Sequence, residues 1–435
     1  MYLMIVLLIF FLGVWAFYES RSSTRPSRRE VARILDSSKN LIHSGSLERA
    51  ERELEVLIRY RLAAPKSYYL YAQVLFKSKQ LEKALKFLTW AMKQFPQQYN
   101  LIHMKGRVLL ALGRASEAII LMRETEGHFQ SEDEFLELAL AEYDAGNLDR
   151  SWALIRDLVD SSCNGRLLAL AADCKFAFEN YEEAIILYRK SIEQNWTSHH
   201  VLSRCGRALY QLKRYTEAEA CFKDLITQDA SDLSAALSLG ACFERQGSFD
   251  RALMVYRQKS IWSQSDPRVF TQAGICSVET KQYDYAEQYL SQALEEGHRS
   301  PKALGYLAFC LERQKKWSAA EYTYKELLEH FPDHVAGYRG LAYLFGVGLS
   351  QELSNEQGLS MAHYALQKRA DATAWELLSA CEARVGNFST AHEIQERLWS
   401  SSSDQSTRMR FKQAMRALRK KVPLDEQLVA RPLVA

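Results

Sequence analysis

A small residue recurs at Ala84, Ala118, Ser151, Ala184, Ala218, Ala252, Ala286 and Ala320, in steps of 33 or 34 residues. A fixed period of that length marks an array of stacked units, each too small to bury its own apolar face, and argues against a single globular core. Twelve positions before each lattice residue stands another small one: Ala72, Gly106, Ala139, Ala172, Gly206, Gly240, Gly274 and Ala308. Four positions after it comes a large apolar one: Leu88, Met122, Ile155, Tyr188, Phe222, Tyr256, Leu290 and Tyr324. Most units also carry an apolar, often aromatic residue three positions before: Leu81, Leu148, Tyr181, Tyr215, Phe249, Tyr283 and Trp317. Two small residues separated by a turn let two helices cross closely, and the large residue fills the space around the crossing. Each unit is therefore expected to be an αα-hairpin.

Composition agrees with an all-α chain. Eight prolines and nineteen glycines in 435 residues are few, and the stretches between them carry helical apolar spacing with hardly any alternating runs. An earlier hairpin fits Ser38, Leu41, Gly45, Ala50 and Leu54. After Ala320 the lattice slips: Gly340 opens a first helix, but the stretch 346–357 delays its partner to about 358–369. A last unit runs through Trp375, Ser379, Gly386, Phe388, Ala391 and Leu398. The expected array covers residues 34–398 in about ten or eleven hairpins, with an irregular unit at 336–369.

The pattern resembles the tetratricopeptide repeat, which has a small residue in its first helix, an alanine in the second, an aromatic between them and a proline ending the unit. Residues 240–256 and 214–222 carry the closest likeness, with unit endings at Pro96 and Pro332. The resemblance implies a right-handed α-solenoid whose concave groove takes peptides or protein partners.

Residues 1–20 read as a membrane anchor. Met1–Tyr18 has no charged side chain and, as a helix, spans roughly 27 Å of hydrocarbon. A cleaved signal peptide is the other reading, with Val14-Trp15-Ala16 as a weak cleavage site, although no basic stretch precedes the apolar run. Residues 21–33 form a basic juxtamembrane linker containing Arg21, Arg25, Arg28, Arg29 and Arg33. Basic flanks stay inside, so a single-pass protein of the inner, cytoplasmic membrane with its repeats in the cytoplasm is expected.

Beyond Ser400–Ser403, a stripe of Phe411, Ala414, Met415, Leu418 and Val422 with a basic opposite face predicts a capping helix over residues 399–424, since a solenoid exposes an apolar face at its last unit. Residues 425–435 read as a flexible tail or short docking peptide. Net charge is only +3, so nucleic acid is not an expected partner.

Little in the chain suggests chemistry. Cys174, Cys242, Cys276, Cys310 and Cys381 each lie ten residues before a small lattice residue, where packing wants a small, weakly polar side chain. Cys163, Cys205 and Cys221 form no close ligand pair. His330 and His334 are separated by Phe331-Pro332, which breaks any shared helical face. No nucleophile, acid–base set or phosphate loop emerges, including in the irregular unit. No enzyme activity, cofactor, metal or small-molecule substrate is expected.

The resemblance also implies groove positions 18, 15, 11, 8 and 7 residues before each lattice residue. In the first half these give Lys66, Tyr69, Gln73, Phe76, Lys77, His103, Arg107, Tyr143, Arg166, Phe176, Arg207 and Tyr210. Partner contact is assigned to Lys66, Tyr69, His103, Arg107, Tyr143, Arg166, Arg207 and Tyr210. Cations beside aromatics suit an extended peptide with acidic groups, a free carboxylate or a phosphate. The other reading makes these arginines solvated groove residues paired with neighbours such as Asp173. The second half is mixed: Glu244, Arg245, Ile275, Glu279, Phe309, Glu312 and Arg313. The Lys and Asn set of the family's chaperone-tail clamp does not align. The expected function is a membrane-tethered scaffold or adaptor in assembly of an envelope or membrane-associated complex. A periplasmic or exported repeat protein in secretion or cell-wall assembly is the alternative.

Overall fold

The computed structural model describes residues 26–59, 64–262 and 266–432. Among the described residues there are 23 α-helices, one short 3₁₀ turn and no strand. Two compact units divide the chain, the first ending at Thr197 and the second beginning at Ser198.

In the first unit the helices pair as α1 (Arg28–His43) with α2 (Leu47–Arg59), α3 (Pro65–Lys77) with α4 (Leu81–Gln94), α5 (Tyr99–Ala111) with α6 (Ala115–Thr125), α7 (Glu132–Asp144) with α8 (Leu148–Ile155), and α9 (Gly165–Ala177) with α10 (Tyr181–Glu193). The second unit pairs α11 (His199–Gln211) with α12 (Tyr215–Gln228), α13 (Leu233–Arg245) with α14 (Phe249–Trp262), α15 (Pro267–Glu279) with α16 (Tyr283–Glu295), α17 (Pro301–Arg313) with α18 (Trp317–His330), α19 (Val335–Gly346) with α20 (Asn355–Lys368), and α21 (Ala372–Val385) with α22 (Phe388–Ser401). A single helix, α23 (Gln405–Arg419), lies against α22.

The lattice residues are the pivots of the hairpins. Ala84, Ala118, Ser151, Ala184, Ala218, Ala252, Ala286 and Ala320 are all fully buried. The space at each crossing is tight: a Cβ placed on Gly240 would stand 2.2 Å from Cζ of Tyr256. Only a hydrogen side chain on α13 leaves room for that ring. Where the pivot is a serine, its hydroxyl is satisfied locally, Ser151 Oγ donating to the Ala139 carbonyl at 2.7 Å.

Each regular hairpin turns through a left-handed residue five positions before its pivot, which closes the first helix by bonding back to its last carbonyls. Thus Gly113 N–H donates to Leu110 O at 3.0 Å and Arg114 N–H to Leu109 O at 2.9 Å. Glycine holds this position at Gly45, Gly113, Gly146, Gly247 and Gly386, but Lys79, Glu179, Lys213, Lys281 and Lys315 hold it elsewhere, with φ from 58° to 62°. A side-chain-bearing residue there costs roughly 1 kcal/mol relative to glycine.

Three expectations need correction. The basic linker at 21–33 already contains the start of α1: Ser27 Oγ accepts from the Glu30 N–H at 3.3 Å while a Glu30 carboxylate oxygen accepts from the Ser27 N–H at 2.7 Å. That reciprocal cap starts the helix at Arg28. The capping stripe is narrower than expected, because Phe411, Ala414 and Leu418 are buried whereas Val422 is 49% exposed beyond the helix end. The segment read as a flexible tail is packed over its described part, with Leu424 and Val429 buried in the core of the second unit. Leucine and valine spaced five apart in a non-helical stretch show no period, so the pattern gave no sign of this burial.

The irregular unit has a physical account. Ala362 is buried 42 residues after Ala320 instead of 34, so α20 carries the pivot after an eight-residue delay. The extra chain is tied down: Gln351 N–H donates to Glu321 at 3.0 Å, Lys325 bridges Glu321 and Glu352, and Arg384 Nε donates to Gly346 O at 3.4 Å. The membrane reading of residues 1–20 lies outside the described residues. Among those that are described, no helix is long and apolar enough to cross a membrane.

Candidate partner-binding surfaces

Hairpin stacking sets the first helices of the first unit side by side, and α3, α5, α7 and α9 together form a recess of about 320 Å³. Its walls include Phe76, Arg107, Glu137, Asp144 and Arg166. Arg107 Nε is 3.0 Å from Glu137 Oε2, and its guanidinium lies 5.3 Å from the centre of the Phe76 ring. One face of the cation is thus stacked and one edge is paired. Arg166, on the next hairpin but one, is exposed at the rim. The recess sets the Phe76-stacked Arg107 and the exposed Arg166 beside two carboxylates, Glu137 and Asp144, so an acidic group entering it would compete with them for the guanidinium ions.

The expected contact residues separate on this frame. Arg107 and Arg166 meet in the recess. Lys66 and Tyr69 sit at the start of α3, outside the lining, with Lys66 exposed and Tyr69 half-buried. Tyr143 on α7 is half-buried and is likewise outside it. His103 cannot act as an open contact: it is 8% exposed, its Nε2 is 3.3 Å from Glu137 Oε2, and its ring meets Phe129 edge-on at 5.2 Å. Burial under an aromatic explains the difference. Glu137 was missed, yet it lies 34 residues after His103, one repeat along, where two first helices bring side chains into register.

In the second unit Arg207 and Tyr210 line a recess of about 320 Å³ with Gln211, Phe222, Leu237, Ser238 and Ala241. The Tyr210 hydroxyl accepts from Arg245 Nε at 3.1 Å, and its ring meets Tyr215 edge-on at 5.3 Å. The tyrosine is therefore held in place by its neighbours on α12 and α13. Further along the same unit the first helices turn acidic. Glu244 accepts from the Tyr256 hydroxyl at 2.7 Å, and burial pushes its carboxyl above the ordinary range.

A larger recess in the first unit, lined by Arg123, Gly146, Asn147, Arg150 and Phe178, is less open to a partner chemically. Arg123 makes two hydrogen bonds to the buried Glu142, at 2.6 and 2.8 Å, and Arg150 pairs with Glu126. Both cations are engaged within the fold. The cysteines in the pivot-facing positions are packing groups: Cys174, Cys242, Cys276, Cys310 and Cys381 are fully buried, and burial pushes Cys174 up to about 11 and Cys242 up to about 12. Thiols held protonated in this way are poor nucleophiles and poor ligands.

Residues 47–125 match the family profile described as anaphase-promoting complex, cyclosome, subunit 3, and residues 206–262 and 277–342 match two profiles described as tetratricopeptide repeat. A curated relative, the BBSome complex member BBS4 of Bos taurus, is 22% identical over 273 residues, which is 60% of this chain and 51% of the relative. The chain thus spans about half the length of the curated relative it matches. Among solved structures, the anaphase-promoting complex hetero-tetramer Cut9–Hcn1 is 13% identical, covering 88% of this chain and 95% of that one with a TM-score of 0.42. The C-terminal part of a repeat-containing protein from Cytophaga hutchinsonii is 16% identical, covering 57% of this chain and 95% of that one with a TM-score of 0.43.

Proposed function

Since the chain belongs to the tetratricopeptide-repeat superfamily, we propose that it is a scaffold or adaptor that holds peptide segments of partner proteins against its first helices, tethered by residues 1–20 to a bacterial-type inner membrane. The observation that carries the binding reading is the recess around Arg107. Arg107, stacked on Phe76, and Arg166 from a separate hairpin line the same recess, and Arg166 is open to solvent. Rigid stacked helices hold these groups in place before a ligand arrives, so docking an extended acidic segment sacrifices little conformational freedom of the protein. The tether is supported by the uncharged apolar run Met1–Tyr18 and by the arginines that follow it.

Two experiments test this. A photo-crosslinking residue placed at position 166 should capture an acidic partner in cells, whereas the same residue at the exposed Ile120 should not. Equal capture from both positions would sink the recess as a docking surface. For topology, Cys163 is exposed while Cys174, Cys205, Cys242, Cys276, Cys310 and Cys381 are buried. A membrane-impermeant maleimide should label it only after permeabilisation, and labelling of intact cells would move the repeats to the far side of the membrane.

A further inference from the structure

After α23 the chain runs back across the first helices of the last hairpins. Leu424 is fully buried and Val429 is 3% exposed, both in the apolar cluster that contains Leu341, Leu377 and Leu398. The Ala430 N–H donates to Glu376 Oε1 on α21 at 3.0 Å. Arg431 Nε donates to the Tyr343 hydroxyl on α19 at 3.1 Å, and the guanidinium lies 6.0 Å from the centre of that ring. On α17, Glu312 is completely buried, and its carboxylate oxygens make no hydrogen bond of standard geometry among the described residues. Burial disfavours its charge, and the Arg431 guanidinium and the Tyr324 hydroxyl oppose this.

These contacts have the form of a ligand on a groove. Three successive first helices are touched or faced by one non-helical segment, which offers a backbone N–H to a carboxylate and an arginine to a tyrosine and a second carboxylate. In its charged form the Glu312 carboxylate, beside the Tyr324 hydroxyl, favours a guanidinium over any neutral group that could stand in its place. The hold on residues 428–432 is slight by comparison with a helix, because residues 425–427 are exposed and the buried anchors are Leu424, Val429 and Pro432.

We propose that this face of the second unit is a binding site for an extended, arginine-bearing segment of a partner protein, with an apolar residue two positions before the arginine, and that residues 428–432 are its resident occupant. Leu424 stays in the core while the stretch beyond it exchanges with the partner. The site is independent of the Arg107 recess and selects the opposite charge.

The test uses full-length protein in detergent and a fluorescein-labelled peptide with the sequence of residues 424–435. A segment attached in cis competes at an effective concentration on the order of millimolar. Wild-type protein should therefore bind the peptide at least tenfold more weakly than a Val429→Asp, Arg431→Glu variant, whose own segment cannot dock. Adding Glu312→Gln and Glu376→Gln to that variant should weaken the peptide tenfold or more, as should replacing the peptide's arginine by alanine. A peptide that keeps only the Val-x-Arg pattern in an alanine background should bind within tenfold of the parent. Circular dichroism confirms that each variant is folded. The proposal is overturned if the undocked, folded variant binds no peptide or if the peptide whose arginine is replaced by alanine binds as well as the parent. It is also overturned if sedimentation shows the segment seated on a second copy of the chain.

Discussion

The first-helix faces of the two units are built on the same lattice and carry opposite chemistry. In the first unit Arg107 and Arg166 border an open recess together with Asp144 and Glu137, and Glu137 is already spoken for by Arg107 and His103. In the last hairpins of the second unit Glu312 and Glu376 are buried, and the chain's own Arg431 and Ala430 come to them. The backbone frame is common to both, so selectivity resides in a handful of side chains, exposed on one face and buried on the other. An exposed cation can be altered at little cost in stability, whereas reversing the charge of a buried carboxylate is costly.

That contrast can be broken most sharply at Glu376, which takes both Arg410 at 3.0 Å and the Ala430 N–H. Glu376→Lys should cost about 3–5 kcal/mol of stability in chemical denaturation, since it leaves a buried donor unpaired and sets two cations together. Arg166→Glu in the first unit should change stability by less than about 0.5 kcal/mol while abolishing capture of an acidic partner. Equal costs for the two would show that the two faces do not differ in burial as described.

The second largest effect lies inside the first unit. Burial alone would raise the Glu142 carboxyl, but the Arg123 and Asn147 hydrogen bonds outweigh it and hold it below the ordinary range. Glu142→Ala should therefore cost about 2–3 kcal/mol at neutral pH. Because the folded value is depressed, this stabilisation is present above the ordinary carboxylate range and is lost as pH falls through the depressed value. Denaturation midpoints measured from pH 7 down to pH 3 would reveal it.

Glu312 gives the opposite slope and so sharpens the comparison. Burial pushes it from 4.5 up to about 8. The unfolded chain releases this proton from about pH 4.5 upward while the folded chain keeps it until about pH 8, so the contribution to stability falls as pH rises across that window. Glu312→Gln should flatten the dependence in the second unit. An unchanged slope in the variant would assign it to another group.

The smallest effect concerns the turns. Lys281→Gly and Lys315→Gly, at φ 59° and 62°, should each stabilise the second unit by roughly 0.5–1 kcal/mol, read as a rise in the urea midpoint. Gly247→Lys at the equivalent turn should lose a similar amount.

Much of this frame was legible because it is periodic. The pivots, the helix pairs and the position of Arg107 all follow from a fixed step along the chain, and close crossing explains why Gly206, Gly240 and Gly274 lack a side chain. Ser27 and Glu30 were legible too, as a serine followed three residues later by a glutamate, but a run of arginines drew them into a membrane linker. Two kinds of feature were not legible. Lysine is not a turn-forming residue, so nothing marked Lys213 or Lys315 as left-handed. Residues 424–432 have no period, and only contact with α19 and α21 reveals what Val429 and Arg431 do. Glu137 stands between these cases, since its partner could have been found by counting one repeat along.

Counting one repeat along also has a consequence for growth of such a chain. Lys83 meets Glu51 across 32 residues, His199 meets Asp232 across 33, Arg251 meets Glu219 across 32 and Arg410 meets Glu376 across 34. The junctions of the α1–α2 with the α3–α4 hairpin, of the α11–α12 with the α13–α14 hairpin and of α21 with α23 are thereby joined by charges spaced nearly as far apart as the hairpins themselves. A block of 34 residues copied in tandem would arrive carrying both halves of its own joints, and the molecule could be lengthened without inventing a new seam.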